Sequence, residues 1–242
     1  MGNQLKLVEF RATLFTAYIP YTFDFYTKVH ELIPGCVPVL NSNAPEPMNM
    51  MGSLYPPSTW TINAPSRREI IIFQPNKIDY LRLTDEDENP TEDQWNDFIG
   101  SVKPLFEMIL EFSGQTVSRM AIAPKIEFKD TIKKWDEFIK DKFSHPEFEG
   151  HTLIEAEFTQ TFRTPRKILD SEYQINFVCK FMGSQEIKMT NGVPKTRDLQ
   201  LIELDINTAP LPDYDFSKEA VSDFFNQAET LTNDILKFYF PT

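Results

Sequence analysis

The amino-acid sequence predicts an α+β fold, with a mainly antiparallel β-sheet and helices packed on one face of it. Three observations predict this class. Stretches that alternate apolar and polar residues, as half-buried strands do, recur along the chain. Other stretches repeat apolar residues every three or four positions, which is typical of amphipathic helices. Turn signals join several strands directly, and directly joined strands run antiparallel.

The length of the chain, 242 residues, corresponds to one large domain or two small ones. Hydrophobic residues make up 41% of it and include 21 phenylalanines, a composition that excludes global disorder. The element order allows two similar halves, an N-terminal α+β half at 1–146 and a C-terminal half of β-hairpin and long helix at 147–242. It also allows one integrated domain.

The first elements are a long strand over 5–19 and a short helix over 21–33. Alternation places Val8, Phe10, Ala12 and Leu14 on the apolar face of that strand. Pro34-Gly35 ends the helix. The segment 36–58 contains five prolines. Because proline has no backbone N–H to donate, we predict a loop or an irregular arm here.

The rest of the first half continues this alternation of strands and helices. Strands are predicted over 59–64, 69–73, 77–83 and 115–128, with a turn at Pro75-Asn76. The strongest helical pattern covers 91–112, with Thr91 as N-cap, Pro104 as a kink and Gly114 as the end. A second amphipathic helix is predicted over 131–143.

The second half is rich in strands. They are predicted over 153–163, 172–182 and 198–206, and Asn191-Gly192 fits a two-residue hairpin turn that needs positive φ. The last element is a long helix over 217–240, capped by Ser217. Its inward stripe is Val221, Phe224, Phe225, Ala228, Leu231, Ile235 and Tyr239.

The formal net charge of −12 argues against a nucleic-acid partner, which needs a positive face, and an acidic surface mostly confers solubility. No segment approaches the ~20 apolar residues that span a bilayer. The first residues lack the pattern of a signal peptide. Two cysteines, Cys36 and Cys179, are too few for a disulfide scaffold or a structural zinc site. We therefore expect a cytoplasmic protein without a membrane partner.

No motif for nucleophilic catalysis, nucleotide binding or metalloprotease chemistry occurs in the sequence. His145 and His151, with Glu147 and Glu149 between them, could hold a metal, but the preferred interpretation is a solvated turn. We therefore assign no catalytic residue, no metal ligand and no cofactor.

Two pairs of acids form the main candidate site. Glu155 and Glu157 share one face of a strand, as do Glu203 and Asp205, because residues i and i+2 point the same way. If the two strands are neighbours, four carboxylates converge, as divalent cations or glycoside chemistry require. The alternative is an antiparallel sheet with one wet face. Arg119 is expected on the same face, hydrogen-bonded to one of these acids, since burying it unpaired is costly.

Two strands carry a resemblance. The strand Ser118-Arg119-Met120-Ala121-Ile122 and the acidic strand Leu201-Ile202-Glu203-Leu204-Asp205, followed by a last long helix, resemble a sporadically distributed bacterial family of about 250 residues, uncharacterised in function. Its arginine strand is of the R-V-G-L-R-Y-I-N kind, from whose second half Ala123 and Pro124 depart. The resemblance covers roughly the last two-thirds of the chain. It implies a fold and an accessory or mobile-element role, without an activity.

Taken with the absence of a catalytic motif, these patterns favour a non-catalytic binding or interaction protein whose partner is a protein or peptide. The sequence also allows a homodimer. The expected working surface is the solvent face of the second-half sheet together with 36–58. The alternatives are a metal-dependent hydrolase that uses the acidic strand pairs, and an acidic decoy that binds a basic partner.

Overall fold

A computed structural model of the protein describes residues 5–40, 59–64, 68–84, 92–128, 155–190, 193–211 and 214–239. Ten strands and three helices lie in these ranges. The strands are β1 Leu5–Thr16, β2 Val37–Leu40, β3 Trp60–Ala64, β4 Glu69–Gln74, β5 Lys77–Leu83, β6 Val117–Ile122, β7 Lys125–Phe128, β8 Glu155–Ile168, β9 Ser171–Thr190 and β10 Val193–Thr208. The helices are α1 Phe23–Leu32, α2 Glu92–Ser113 and α3 Lys218–Tyr239.

All ten strands belong to one sheet, and every described pair is antiparallel. The spatial order is β2-β3-β4-β5-β1-β6-β10-β9-β8, and β7 pairs with both β1 and β10. The predicted α+β class with a mainly antiparallel sheet is confirmed. The sheet runs through both predicted halves, because β10 pairs with β6 and β7.

The three helices lie on one face of the sheet and contact one another in the order α1, α2, α3. Phe25 of α1 approaches Phe112 of α2, with ring centroids 5.1 Å apart, and Phe106 of α2 approaches Phe225 of α3 at 5.4 Å. Phe10 of β1 stacks on Phe98 of α2, with ring centroids 4.4 Å apart. None of the described helices is both long and apolar enough to cross a bilayer.

A buried ion pair fixes α2 against β4 and β5. Arg82 donates from Nε and Nη2 to Oε1 of Glu69, at 2.9 and 2.5 Å. Its Nη1 donates to Asp97 of α2 at 2.6 Å, and Nη2 also donates to Ser101 at 2.8 Å. Burial raises the pKa of the neighbouring Tyr80, and the charge of Glu69 raises it further. The strands therefore hold α2 through one guanidinium with several N–H donors.

Helix ends follow the sequence closely. α1 begins after Thr22, whose Oγ1 accepts from the backbone N–H of Phe25 at 3.2 Å, and Gly35 follows it at φ +80°. α2 runs through Pro104 and is followed by Gly114 at φ +62°. Ser217 caps α3 by accepting from the N–H of Ala220 at 3.2 Å.

The buried stripe of α3 is also as predicted over its described side chains. The predicted residues Val221, Phe224, Phe225, Ala228, Leu231 and Ile235 are buried, as are Ala220, Thr232 and Leu236 beside them.

Two elements differ from the prediction. Residues 37–40, predicted as part of a loop, form β2, and Pro38 is tolerated there because β2 lies at the sheet edge. The strand predicted over 115–128 is divided into β6 and β7 at Ala123-Pro124, where proline lacks the N–H that would continue the ladder.

Several sequence-based predictions lie outside the described residues. These are the segment 41–58, Thr91, the helix over 131–143, and His145 with His151. The turn Asn191-Gly192 is also outside, but the described pair Thr190 and Val193 brackets it with the register of a two-residue connection.

Candidate functional site

We call the side of the sheet opposite the three described helices the open face. In each strand every second side chain points towards the helices, as Phe10, Phe177 and Ile202 do, and these residues are buried. The intervening residues lie on the open face. On β8 to β10 they are mostly polar or charged, whereas on β2 to β5 they include Val37, Val39, Ile70, Ile72, Leu81 and Leu83.

The predicted acids lie on the β8 to β10 part of the open face. Glu157 is on β8, and its side chain is 57% exposed. Glu203 and Asp205 are on β10 and half-buried. Glu155 is the first residue of β8, paired with Ser184 of β9, and its side chain lies outside the described part.

These acids do not converge, because β8 and β10 are not neighbours. β9 runs between them and places Lys180 between Glu157 and Glu203. Lys180 Nζ lies 2.9 Å from Glu157 Oε2. The hydrogen bond to Glu157, assisted by the charges of Glu157 and Glu203, raises the pKa of Lys180. The condition for convergence of the four acids, that the two acidic strands are neighbours, is therefore not met.

The described residues likewise contain no group of three or more His, Cys, Asp or Glu side chains arranged to hold a metal ion. What the strand register creates instead is a line of alternating charges. Lys180 of β9 pairs with Glu203 of β10, which pairs with Lys125 of β7, which pairs with Glu9 of β1. We call these four residues the charge row. Opposite charges directly across strands attract one another, so these pairs favour the observed register of the four strands.

A second polar line, the amide row, lies four residues further along β9 and β10. Arg163 Nε donates to Asn176 Oδ1 at 2.7 Å, and Asn176 Nδ2 donates to Asn207 Oδ1 at 3.1 Å. Asn207 Nδ2 in turn donates to Asp205 Oδ1 at 2.8 Å. Asn207 is 1% exposed, so these bonds satisfy polar groups that water does not reach.

The register of the amide row continues across the sheet. Asn207 pairs with Ala121, Ala121 with Thr13, and Thr13 with Asp79 of β5. Thr13 Oγ1 donates to Asp79 Oδ1 at 2.6 Å, and Lys77 Nζ lies 2.7 Å from Asp79 Oδ2. Both Thr13 and Asp79 are buried.

Arg119 makes no hydrogen bond to those predicted acids whose side chains the structure describes. Its guanidinium carbon lies 4.7 Å from the centroid of the Phe15 ring, a cation–π contact across β6 and β1. The register puts Arg119 and Asp205 on opposite sides of the Ala121 position, four residues apart along the strands, about 13 Å. No described hydrogen bond or ion pair joins Arg119 to Glu157, Glu203 or Asp205.

The sequence reasoning missed the residues that organise this face, namely Lys125, Arg163, Asn176, Lys180 and Asn207. A signal was present, since Asn176 and Lys180 alternate with the apolar residues Ile175, Phe177, Cys179 and Phe181 in the strand predicted over 172–182. Two successive hairpins would also have placed β9 between β8 and β10.

Neither a comparison with protein-family models nor a search of curated proteins found a match to this chain. The chemistry of the face must therefore be judged from its geometry. The face offers charges of both signs and amide groups on an antiparallel sheet, which suits recognition through complementary hydrogen bonds and ion pairs.

Proposed function

We propose that this chain is a non-catalytic binding or interaction protein whose working surface is the open face of β8, β9 and β10. The charge row is the observation that supports this proposal most directly. Lys180 and Glu203 are paired across β9 and β10 and both are partly exposed, and their alternating signs define a pattern that a partner can match. The partner is a protein or peptide, because small ligands bind in concave pockets, whereas the face of a sheet offers a broad surface.

Three features of the face agree with partner recognition. Its charged groups already lie in fixed positions, so little side-chain freedom is lost when a partner binds. Charges of both signs select the register of the partner, since a shifted partner would oppose like charges. Binding through these groups weakens as ionic strength rises, because salt screens exposed charges.

The resemblance to a sporadically distributed bacterial family stays part of this proposal, and with it an accessory or mobile-element role in the cytoplasm. The metal-dependent hydrolase is not carried forward, because β9 separates the strands on which it depends.

The test is site-specific photo-crosslinking in the native cell. A photoreactive residue at Val178, half-buried on the open face of β9, should capture a partner that mass spectrometry identifies. The matched control is the same photoreactive residue at Asn96, which is exposed on α2 on the opposite side of the protein. Lys180→Glu should reduce capture at Val178, since it reverses one charge of the row.

Capture of the same proteins from both positions, or capture at Val178 that Lys180→Glu does not change, would contradict the proposal. Circular dichroism of Lys180→Glu checks that the variant is folded.

A further inference from the structure

β8 forms one end of the sheet, and among the described residues it pairs only with β9. An edge strand offers a row of backbone N–H and C=O groups to another chain. Proteins usually protect such edges with lysine, proline or a bulge. The central segment of β8, Glu157 to Arg163, contains neither residue type, and its register with β9 is continuous.

The sequence of this segment is Glu-Phe-Thr-Gln-Thr-Phe-Arg, which reads the same in both directions except for opposite charges at its ends. When two identical edge strands pair antiparallel about a two-fold axis, the residues whose backbone N–H and C=O groups point away from β9 face one another. Such residues occur at every second position along β8. The axis must therefore pass through a residue and not between two. Gln160 is the centre of the palindrome.

An axis at Gln160 matches each residue with its like or its opposite. Phe158 faces Phe162 of a second copy, Thr159 faces Thr161, and Glu157 faces Arg163, and each of these pairs occurs twice. Aromatic pairs, threonine pairs and opposite charges are the cross-strand combinations that stabilise sheets. A shift of the axis to Thr159 would instead oppose Phe158 and Gln160.

The described side chains are compatible with this pairing. Thr159, Gln160 and Thr161 are exposed, and the two phenylalanines are half-buried. Arg163 uses Nε to bind Asn176, and a guanidinium has four further N–H donors.

The described hydrogen bonds that join the β8–β9 hairpin to α3 lie beyond this segment, at Arg166 and Lys167 of β8 and at Leu169 just after it.

We infer that two copies of this chain associate through β8, antiparallel, about a two-fold axis at Gln160, so that one sheet continues through both. The interface is isologous, as closed two-fold dimers require. It involves seven residues from each copy, fewer than the about 20–30 a side of a stable interface, so the dimer dissociates on dilution. The inference stands on the edge strand alone and does not depend on the function proposed for the open face.

Sedimentation equilibrium of the full chain, at concentrations up to the order of 100 µM, measures this association. We expect an equilibrium between the 28.2 kDa monomer and a species of twice that mass. A chain that remains at the monomer mass throughout overturns the inference.

Charge reversal tests the register. Glu157→Arg and Arg163→Glu each oppose like charges at both ends of the paired segment, and each should weaken the dimer roughly tenfold or more. An equal mixture of the two variants should recover wild-type affinity, because the mixed dimer restores both opposite-charge pairs. The controls Glu31→Arg and Lys28→Glu, exposed on α1, change the net charge equally and should leave the dimer intact.

A dimer that the single variants do not weaken, or a mixture that associates no better than either variant alone, overturns the axis at Gln160. Circular dichroism checks that each variant is folded. Should a single variant unfold, the double variant Glu157→Arg/Arg163→Glu carries the test: it dimerises if the inference holds, and a monomeric double variant overturns it. Because these measurements use the chain alone, their failure leaves the proposed partner binding untouched.

Discussion

Removing Glu69 and removing Arg82 from their buried ion pair should lower the free energy of unfolding by different amounts. Glu69 has a fully buried side chain, and Arg82 is its ionic partner. Arg82→Met would leave a buried carboxylate without that partner, which typically costs about 3–5 kcal/mol. Glu69→Leu would leave Arg82 with Asp97 and Ser101 at the protein surface, so we expect a smaller loss, about 2 kcal/mol.

The double variant Glu69→Leu/Arg82→Met should be more stable than Arg82→Met alone, because no buried charge remains. Asp97→Asn is the control within the same network. Its bond to Arg82 is as short as those of Glu69, at 2.6 Å, but the Asp97 side chain is 72% exposed. Exposed pairs contribute little, so this substitution should cost less than about 1 kcal/mol.

Urea unfolding followed by tryptophan fluorescence gives the free energy of unfolding for each variant, and the four values of the double-mutant cycle give the coupling energy. If Arg82→Met costs no more than Asp97→Asn, or if the double variant loses the sum of both single losses, burial does not determine the strength of this pair and the reasoning is wrong.

Three further predictions concern other parts of the molecule. Phe225→Ala should lower the free energy of unfolding by about 3–5 kcal/mol, because Phe225 is 0% exposed and packed against Phe106; a loss below about 1 kcal/mol in urea would contradict its place in the core. Leu169→Gly should raise the melting temperature, because Leu169 has φ +54°, a backbone conformation that costs a non-glycine residue about 1 kcal/mol; an unchanged or lower melting temperature would contradict this. Lys180→Glu should change stability by less than about 1 kcal/mol, since the pair is exposed, so urea unfolding near wild-type would separate its effect on partner binding from misfolding.

Much of the fold could be predicted from local patterns, and the reasons are physical. The alternation in β1 identified Phe10, Ala12 and Leu14 as inward, and the helical repeat identified the buried stripe of α3, because burial of apolar surface determines both patterns. Gly35 and Gly114 marked helix ends because each adopts a positive φ there.

The candidate site was predicted less well, since it depends on which strands are neighbours and in what register. The contact of Arg119 with Phe15 follows from the register in which β6 pairs with β1, which local patterns do not reveal. The outward polar residues of β9, Asn176 and Lys180, acquire meaning only beside Asn207 and Glu203 of β10.

The place of β1 in the sheet bears on how the chain assembles. β1 lies near the middle of the sheet, between β5 and β6, although it is the first strand in the chain. β10, which covers the other side of β6, follows more than eighty residues later: Ile206 pairs with Ile122. Contacts between such distant segments form slowly. During synthesis the early strands would expose the unpaired edges of β6 and β7, so we expect nascent or truncated chains that lack β10 to need protection from aggregation.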